Sequence, residues 1–187
     1  MPRANFSGKR RRHTSAGATG IAKLYLATVR DTLERYLPRI VTCLGELGEK
    51  NLWWRPNSTS NSAGNLTLHL CGNIRQWIIS GLGGAPDVRV RDAEFAERGP
   101  LSCRVLVRRL ESTVGEALGV LRRLPPAALT RRYEIQGYCV TGLYAAFQVA
   151  EHFAHHAGQI IYIAKLKRAR DLGFTKLPKT SKRLDHI

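Results

Sequence analysis

The chain has 187 residues, 43% of them hydrophobic, with four cysteines and a formal net charge of +16 at pH 7. This length suits a single domain with a full core, and no apolar run approaches the ~18 residues that a membrane-spanning helix requires. The cysteines (Cys43, Cys71, Cys103 and Cys139) are widely spaced, which argues against a zinc ribbon or a redox-active pair and favours reduced thiols in a cytoplasmic protein.

The positive charge is concentrated at the two ends of the chain. Residues 1–18 contain five basic residues and no acid, and residues 165–187 contain eight basic residues and two aspartates. Basic tails favour weak, salt-sensitive contacts with phosphate backbones and do not read a base sequence. We therefore expect no specific binding to nucleic acid.

Residues 1–18 are also polar and rich in small residues, which predicts a disordered tail, although an organelle transit peptide has a similar composition. We assign residues 19–170 to a single domain and residues 171–187 to a basic C-terminal tail. Apolar residues at helical spacing predict a first helix from about Gly20 to Leu47. Pro38 lies inside this stretch and is expected to kink or divide the helix.

The next stretch contains a loop, a second helix and a long connection. Trp53 and Trp54 in the loop either close the end of a bundle or line a ligand pocket. A run of good N-cap residues introduces a helix from about Asn61 to Leu82. The polar connection at residues 83–100 can cross the length of a bundle, because eighteen extended residues span at most ~60 Å. Three arrangements are open to its charged residues: they remain solvated, they fold over the bundle, or they pair across a dimer. These residues are Arg89, Arg91, Asp92, Glu94, Glu97 and Arg98.

Two further helices are predicted in the C-terminal half. The first runs from about Ser102 to Leu124, where two prolines end it. Residues 130–140 alternate weakly between polar and apolar, which indicates a short hairpin. The long apolar segment that follows has no proline and predicts a helix from about Gly142 to Lys167, with Thr141 as its N-cap.

The last predicted helix carries three of the six histidines within five residues. Residues four apart share one face of a helix, so His152 and His156 point the same way. His69 falls on the buried stripe of the second predicted helix. Two helices can thus supply three imidazole ligands and leave a position for water or substrate, as in a catalytic metal site. The alternative is a hydrogen-bonded cluster of core histidines. A His-Glu-x-x-His zinc protease is excluded, because Phe153 stands where its glutamate would be.

Neighbouring polar residues complete the predicted site. His155 is left out of the ligand set, and Cys71 is rejected because it lies on the opposite side of the helix from His69. Imidazole ligands do not select one metal, so zinc, nickel, manganese and iron are all candidates. We expect three amide side chains near the histidines to orient the ligands or to bind substrate: Asn73, Gln148 and Gln159.

Several segments together resemble the DinB-like superfamily. They are, in chain order, Trp53-Trp54-Arg55-Pro56, Asn61-Ser62, His69-Leu70-Cys71-Gly72-Asn73, Arg91-Asp92-Ala93-Glu94-Phe95 and His152-x-x-x-His156-x-Gly158-Gln159. The resemblance covers about residues 20–170 and points to an uncharacterised branch. It implies an all-α four-helix bundle in up-down-down-up order, with a long crossover between helices two and three. It also implies a metal-binding histidine on helix two, His69, and a metal-binding pair on helix four, His152 and His156.

The resemblance also carries expectations about activity. The superfamily includes hydrolases and enzymes that transfer low-molecular-weight thiols. It therefore implies a metal-dependent hydrolase or thiol transferase with a three-histidine divalent-metal site and a small-molecule substrate or thiol. DinB-like bundles often pair through helix faces, so a homodimer is expected as well. A non-catalytic bundle that binds metal or a small ligand is the alternative, because the sequence offers no obvious general base.

Overall fold

The computed structural model describes residues 10–99 and 101–174. In chain order the helices are α1 (Arg10–Leu52), α2 (Ala63–Ile74) with a π-helical continuation (Arg75–Leu82), α3 (Arg91–Ala96), α4 (Cys103–Arg123) and α5 (Gly142–Arg168). A 3-10 turn (Pro126–Leu129) and a two-stranded hairpin, β1 (Arg132–Ile135) and β2 (Tyr138–Thr141), lie between α4 and α5. The predicted all-α four-helix bundle is confirmed: α1, α2, α4 and α5 form it, and residues 83–102 make the crossover.

The core lies between the four long helices. Both α1 and α2 pack against α4 and α5. Burial of apolar surface between them is the main force that holds the bundle together. No helix in the described ranges is long and apolar enough to cross a membrane. The largest fully buried side chains include Phe153, Leu33, Ile40, Leu44, Leu70, Ile78, Leu106 and Leu110.

The first helix is longer than the sequence predicted. It begins at Arg10, whereas the sequence pattern placed its start near Gly20. No proline lies between residues 10 and 20 to end the helix earlier. Pro38 does not divide the helix; the backbone leaves helical geometry at Gly48, where φ is +60°. Residues 1–9 of the first predicted tail and 175–187 of the second lie outside the described residues.

The two tryptophans after α1 have different surroundings. Trp53 lies over Gly64, where a Cβ atom would meet its ring at 2.8 Å. Its Nε1 donates a hydrogen bond to the carbonyl oxygen of Leu101 at 3.1 Å, so this side chain closes the end of the bundle. Trp54 lines a surface groove, and the ammonium group of Lys167 lies 4.4 Å from its ring centroid. Trp53 therefore takes the first of the two predicted roles, and the ligand-pocket role stays a prediction for Trp54.

The N-terminus of α2 is tied to the crossover. Ser62 caps the helix by accepting a hydrogen bond from the Asn65 backbone N–H at 3.1 Å. The Asn65 amide then donates to the carbonyl oxygens of Glu94 and Glu97, both at 2.9 Å, and Arg55 donates to its Oδ1 at 2.8 Å. These bonds hold α3 against α2. Among the charged residues of the connection, Arg89 and Glu94 fold over the bundle and are buried, whereas Arg91, Asp92 and Arg98 are exposed.

The region before α5 folds as predicted. The strands β1 and β2 pair antiparallel, and Gln136 and Gly137 at the turn both have positive φ angles, as a two-residue turn of type I′ requires. Thr141 caps α5 by accepting a hydrogen bond from the Tyr144 backbone N–H at 3.2 Å. The cap fixes where α5 begins and hence which side chains it turns toward α2.

Candidate metal centre

Three histidine side chains meet between α2 and α5. His69 on α2 is 5% exposed, and His152 and His156 on α5 are half-buried. One nitrogen atom from each ring lies within 4.8 Å of the other two. The Nε2 atoms of His69 and His152 are 2.8 Å apart. The structure thus brings together the three residues that the sequence pattern singled out as metal ligands.

Burial keeps the two histidines of α5 neutral. It lowers the pKa of His152 to about 3, and the nearby charges of His156 and His69 act in the same direction. It also lowers the pKa of His156 to about 4, although the hydrogen bond to Gln159 acts in the opposite direction. A metal ion binds the neutral imidazole, so both rings are in the binding form at neutral pH.

A carboxylate that the sequence did not assign to the site holds the far side of His69. Glu94 on α3 is buried, and its Oε2 lies 2.9 Å from His69 Nδ1. With the Nδ1–H donated to this carboxylate, the lone pair of His69 Nε2 is available to an ion. Metal-binding histidines commonly have a partner of this kind, which fixes the ring and raises its basicity.

Arg89 in turn fixes Glu94. Its guanidinium donates from Nε to Glu94 Oε1 at 2.8 Å and from Nη2 to Oε2 at 2.9 Å. A third hydrogen bond runs from Arg89 Nη1 to Gln76 Oε1 at 2.9 Å. Burial alone would raise the pKa of the Glu94 carboxyl, but the hydrogen bonds from Arg89 and His69 hold it below its usual range. The carboxylate therefore stays ionised and keeps one orientation.

Gly72 makes room for this carboxylate on α2. A Cβ atom at Gly72 would clash with Glu94 Oε1 and would lie 2.9 Å from Arg89 Nε. Gly72 follows His69 by three residues, so the two share a face of the helix. A glycine there indicates the close approach of another segment. Gly72 is thus a sequence signal of close approach to this face of α2, but it does not identify Glu94 as the residue that approaches.

The second ring nitrogen of His156 also has a partner. Its Nδ1 lies 2.6 Å from Gln159 Oε1, so Gln159 orients the ring. Gln159 Nε2 lies 3.2 Å from His155 Nε2, but the His155 side chain is exposed and does not belong to the cluster. Cys71 is also outside the cluster, and burial raises the pKa of its thiol to about 12.

A cavity of about 340 Å³ opens beside His69 and His152. Two predicted site residues, Asn73 and Gln148, line it, and Asn73 Oδ1 and Gln148 Oε1 are buried without a hydrogen-bond partner. Across residues 10–99 and 101–174, no aspartate or glutamate contributes to its lining. The remaining lining residues are Trp77, Arg89, Arg91, Gln136, Tyr138, Val140 and Tyr144.

The donor set fits a divalent metal ion. Zinc–imidazole bonds of about 2.0–2.1 Å place two nitrogen ligands of a tetrahedral ion about 3.3 Å apart. The three imidazole nitrogens, all within 4.8 Å of one another, are close enough to converge on one ion. His69 and His156 each have the second-nitrogen partner that ligand histidines need. The adjoining cavity leaves room for a further ligand.

Fold and site together define a small helical bundle with a three-histidine cluster between its second and fourth long helices. Residues 20–181 match the family described as "Protein of unknown function (DUF1572)", and the chain belongs to that family. Among solved structures, it is similar to a DinB-like protein (YjoA) from Bacillus subtilis, with a TM-score of 0.59 and 17% sequence identity. The similarity covers 84% of this chain and 99% of that one, and it shows a DinB-like fold. No curated protein matches the chain.

Proposed function

We propose that this protein binds one divalent metal ion through His69, His152 and His156 and uses it as an enzyme on a small molecule. The reaction is hydrolysis or the transfer of a low-molecular-weight thiol. The observation that carries the proposal is the convergence of three imidazole nitrogens beside a cavity. Of the candidate ions, zinc, nickel and iron suit imidazole ligands, whereas manganese more often takes carboxylates and water.

Each residue around the cluster has a distinct task in this proposal. A bound divalent ion would act as a Lewis acid and lower the pKa of a water molecule or thiol in the cavity. Glu94 and Gln159 orient the rings of His69 and His156 through their Nδ1 atoms. Because Glu94 is occupied by Arg89 and His69, it serves as a positioning residue and not as the general base.

A non-catalytic metal- or ligand-binding bundle is the second candidate. The observation that favours it is the absence of carboxylates from the cavity lining in the part of the chain that the structure describes. A hydrolase often uses such a group as its general base. Without such a carboxylate, activation of the nucleophile would fall mainly to the bound ion, whereas binding without turnover needs no base.

Turnover by the metal-loaded protein separates the two candidates. We would measure hydrolysis of p-nitrophenyl acetate, and the conjugation of small thiols with monochlorobimane, with and without zinc, nickel, manganese or iron. The proposal predicts metal-dependent turnover that His156→Ala abolishes. His155→Ala is the matched control, because His155 lies next to the cluster without belonging to it. Metal uptake without turnover in either assay would favour the binding protein.

We also expect a cytoplasmic location and a homodimer. The four cysteines are free thiols, which suits a reducing compartment. Exposed apolar side chains on α1 and α5 suit the pairing of helix faces; they include Leu24, Leu143 and Phe147. Cell fractionation tests the cytoplasmic location, and sedimentation of the purified chain tests the homodimer.

A further inference from the structure

One arginine in the lining of the cavity beside the histidine cluster has a free positive charge. Two arginines line this cavity, Arg89 and Arg91. The guanidinium of Arg89 is buried and paired with Glu94, which neutralises its charge. Arg91, the first residue of α3, is exposed, and its side chain forms no ion pair or hydrogen bond with the residues that the structure describes. The charge of Arg91 is therefore available to a ligand.

The ring of Phe95 connects Arg91 to the histidine cluster. The guanidinium carbon of Arg91 lies 5.0 Å from the centroid of the Phe95 ring, and this centroid lies 4.7 Å from that of the His69 ring. The two contacts together keep the guanidinium no more than about 10 Å from the centre of the His69 ring. A small molecule with one end at the cluster can therefore reach Arg91 with its other end.

A guanidinium placed over an aromatic ring suits the recognition of a carboxylate. Its five N–H donors lie in its own plane, so the ring covers one face and leaves the donor edges available. A carboxylate accepts two parallel hydrogen bonds from such an edge. One free guanidinium also balances one negative charge, whereas a phosphate group carries about −1.5 to −2 at pH 7. Arg91 therefore matches a carboxylate better than a phosphate.

We propose that the substrate of the metal centre is a small molecule that carries a carboxylate and that Arg91 binds this group. The inference rests on the proposed function, in which the reacting end of the substrate meets the ion at the three histidines. No aspartate or glutamate of residues 10–99 and 101–174 lines the cavity, so none of them repels an acid there. Arg91 then determines which substrates bind and takes no part in activating the nucleophile.

Two thiols of the same length test the inference on the full chain. 6-Mercaptohexanoate has a thiol for the ion at one end and a carboxylate at the other, and 6-mercaptohexanamide has a neutral amide in place of the carboxylate. We would measure their binding to cobalt(II)-loaded protein from the absorption band of a cobalt–thiolate bond, and to metal-free protein by titration calorimetry. The acid should bind about fivefold more tightly in both forms, because a bidentate pair is the strong case among exposed ion pairs.

Substitution of Arg91 locates the effect. Arg91→Met removes the charge, keeps an apolar side chain beside Phe95, and should reduce the preference for the acid to less than about twofold. The affinity for the amide should not change. The matched control is Arg131→Met, because Arg131 is also exposed and its guanidinium carbon lies 5.4 Å from the centroid of the Tyr133 ring. Arg131 does not line this cavity, so the control should retain the full preference although the net charge changes equally.

The outcomes separate this inference from the proposed function. Cobalt uptake with equal affinity for the acid and the amide overturns the inference and leaves the metal site standing. A protein that takes up no cobalt but prefers the acid contradicts the proposed function and leaves Arg91 as a carboxylate-binding residue.

Three further results would overturn the assignment to Arg91. Full preference for the acid in Arg91→Met would show that another group selects the carboxylate. An equal loss of preference in Arg131→Met would reduce the effect to the net charge of the protein. Tighter binding of 6-mercaptohexylphosphonate than of the acid would show that the site selects a phosphate-like group.

Discussion

Glu94 Oε2 lies 2.9 Å from His69 Nδ1, so a residue of the crossover positions a histidine of the bundle. The two residues are 25 positions apart in sequence and belong to different helices. Arg89 and Gly72 complete the arrangement, the first by clamping the carboxylate and the second by leaving space for it. The crossover is therefore part of the site and not merely a connection between α2 and α4.

Replacing Glu94 by glutamine should weaken metal binding without unfolding the bundle. The substitution removes the negative charge that holds the His69 ring and breaks the two-point pairing with Arg89. Losses of about 10–100-fold in metal affinity are typical for such partners of metal-binding histidines. Competition with a chelating dye measures the affinity, and circular dichroism measures the helices. Glu116→Gln, at an exposed pair with Arg75, should leave the affinity unchanged; an equal loss there would contradict the account.

Adding a methyl group at Gly72 should disturb the same contact from the side of α2. Gly72→Ala forces the Glu94 carboxylate away, and overpacking of this kind destabilises a protein by about 1–3 kcal/mol. Nothing lies within 4 Å of a Cβ atom placed at Gly115 in α4, so Gly115→Ala should stabilise the fold by up to about 1 kcal/mol. Urea unfolding of both variants measures the difference. If the Gly72→Ala variant is as stable as the wild type and binds metal as tightly, the close contact is ruled out.

The cysteines should differ sharply in reactivity. Burial raises the pKa of Cys71 to about 12 and, with some help from Glu46, that of Cys43 to about 11. Both therefore remain protonated and shielded at pH 8.5 in the folded protein, whereas Cys139 is exposed. Ellman's reagent should modify Cys139 fast and Cys43 and Cys71 only after unfolding.

The same shifts give a sign for the pH dependence of stability. Folding raises the pKa of each thiol above its value in the unfolded chain, which is about 9. Below that pH the thiol is protonated in both states and does not change the free energy of unfolding. As pH rises from there toward 11 or 12, the thiol ionises only in the unfolded chain, which stabilises the unfolded state. The free energy of unfolding should therefore fall above about pH 9. Cys71→Ser and Cys43→Ala variants should show a shallower fall than the wild type, and identical slopes would contradict the buried placement of these thiols.

Local patterns were enough to predict most of the bundle and the histidine cluster. The spacing of His152 and His156 and the cap at Thr141 depend only on neighbours within one or two turns of a single helix, so they could be inferred from the sequence. The placement of His69 opposite them followed from its position on a buried stripe. The structure agrees because each of these helices can bury only one face against the others.

Features that depend on distant contacts could not be predicted in the same way. The helix α3 has six residues, too few for a periodic pattern, and it is held by hydrogen bonds from Asn65. Glu94 therefore had the sequence signature of a solvated loop residue. The π-helical continuation at Arg75–Leu82 also escaped prediction, because eight residues are too few for their spacing to separate π from α geometry.

Metal content tests the central claim most directly. The protein would be purified without an affinity tag or chelator, reconstituted with zinc, nickel or manganese, and measured by elemental analysis beside His156→Ala and His155→Ala. The account predicts about one ion per chain in the wild type and in His155→Ala, and loss of the ion in His156→Ala with the helices intact. No bound metal after reconstitution, or full occupancy in His156→Ala, would contradict the three-histidine site and leave a hydrogen-bonded core cluster in its place.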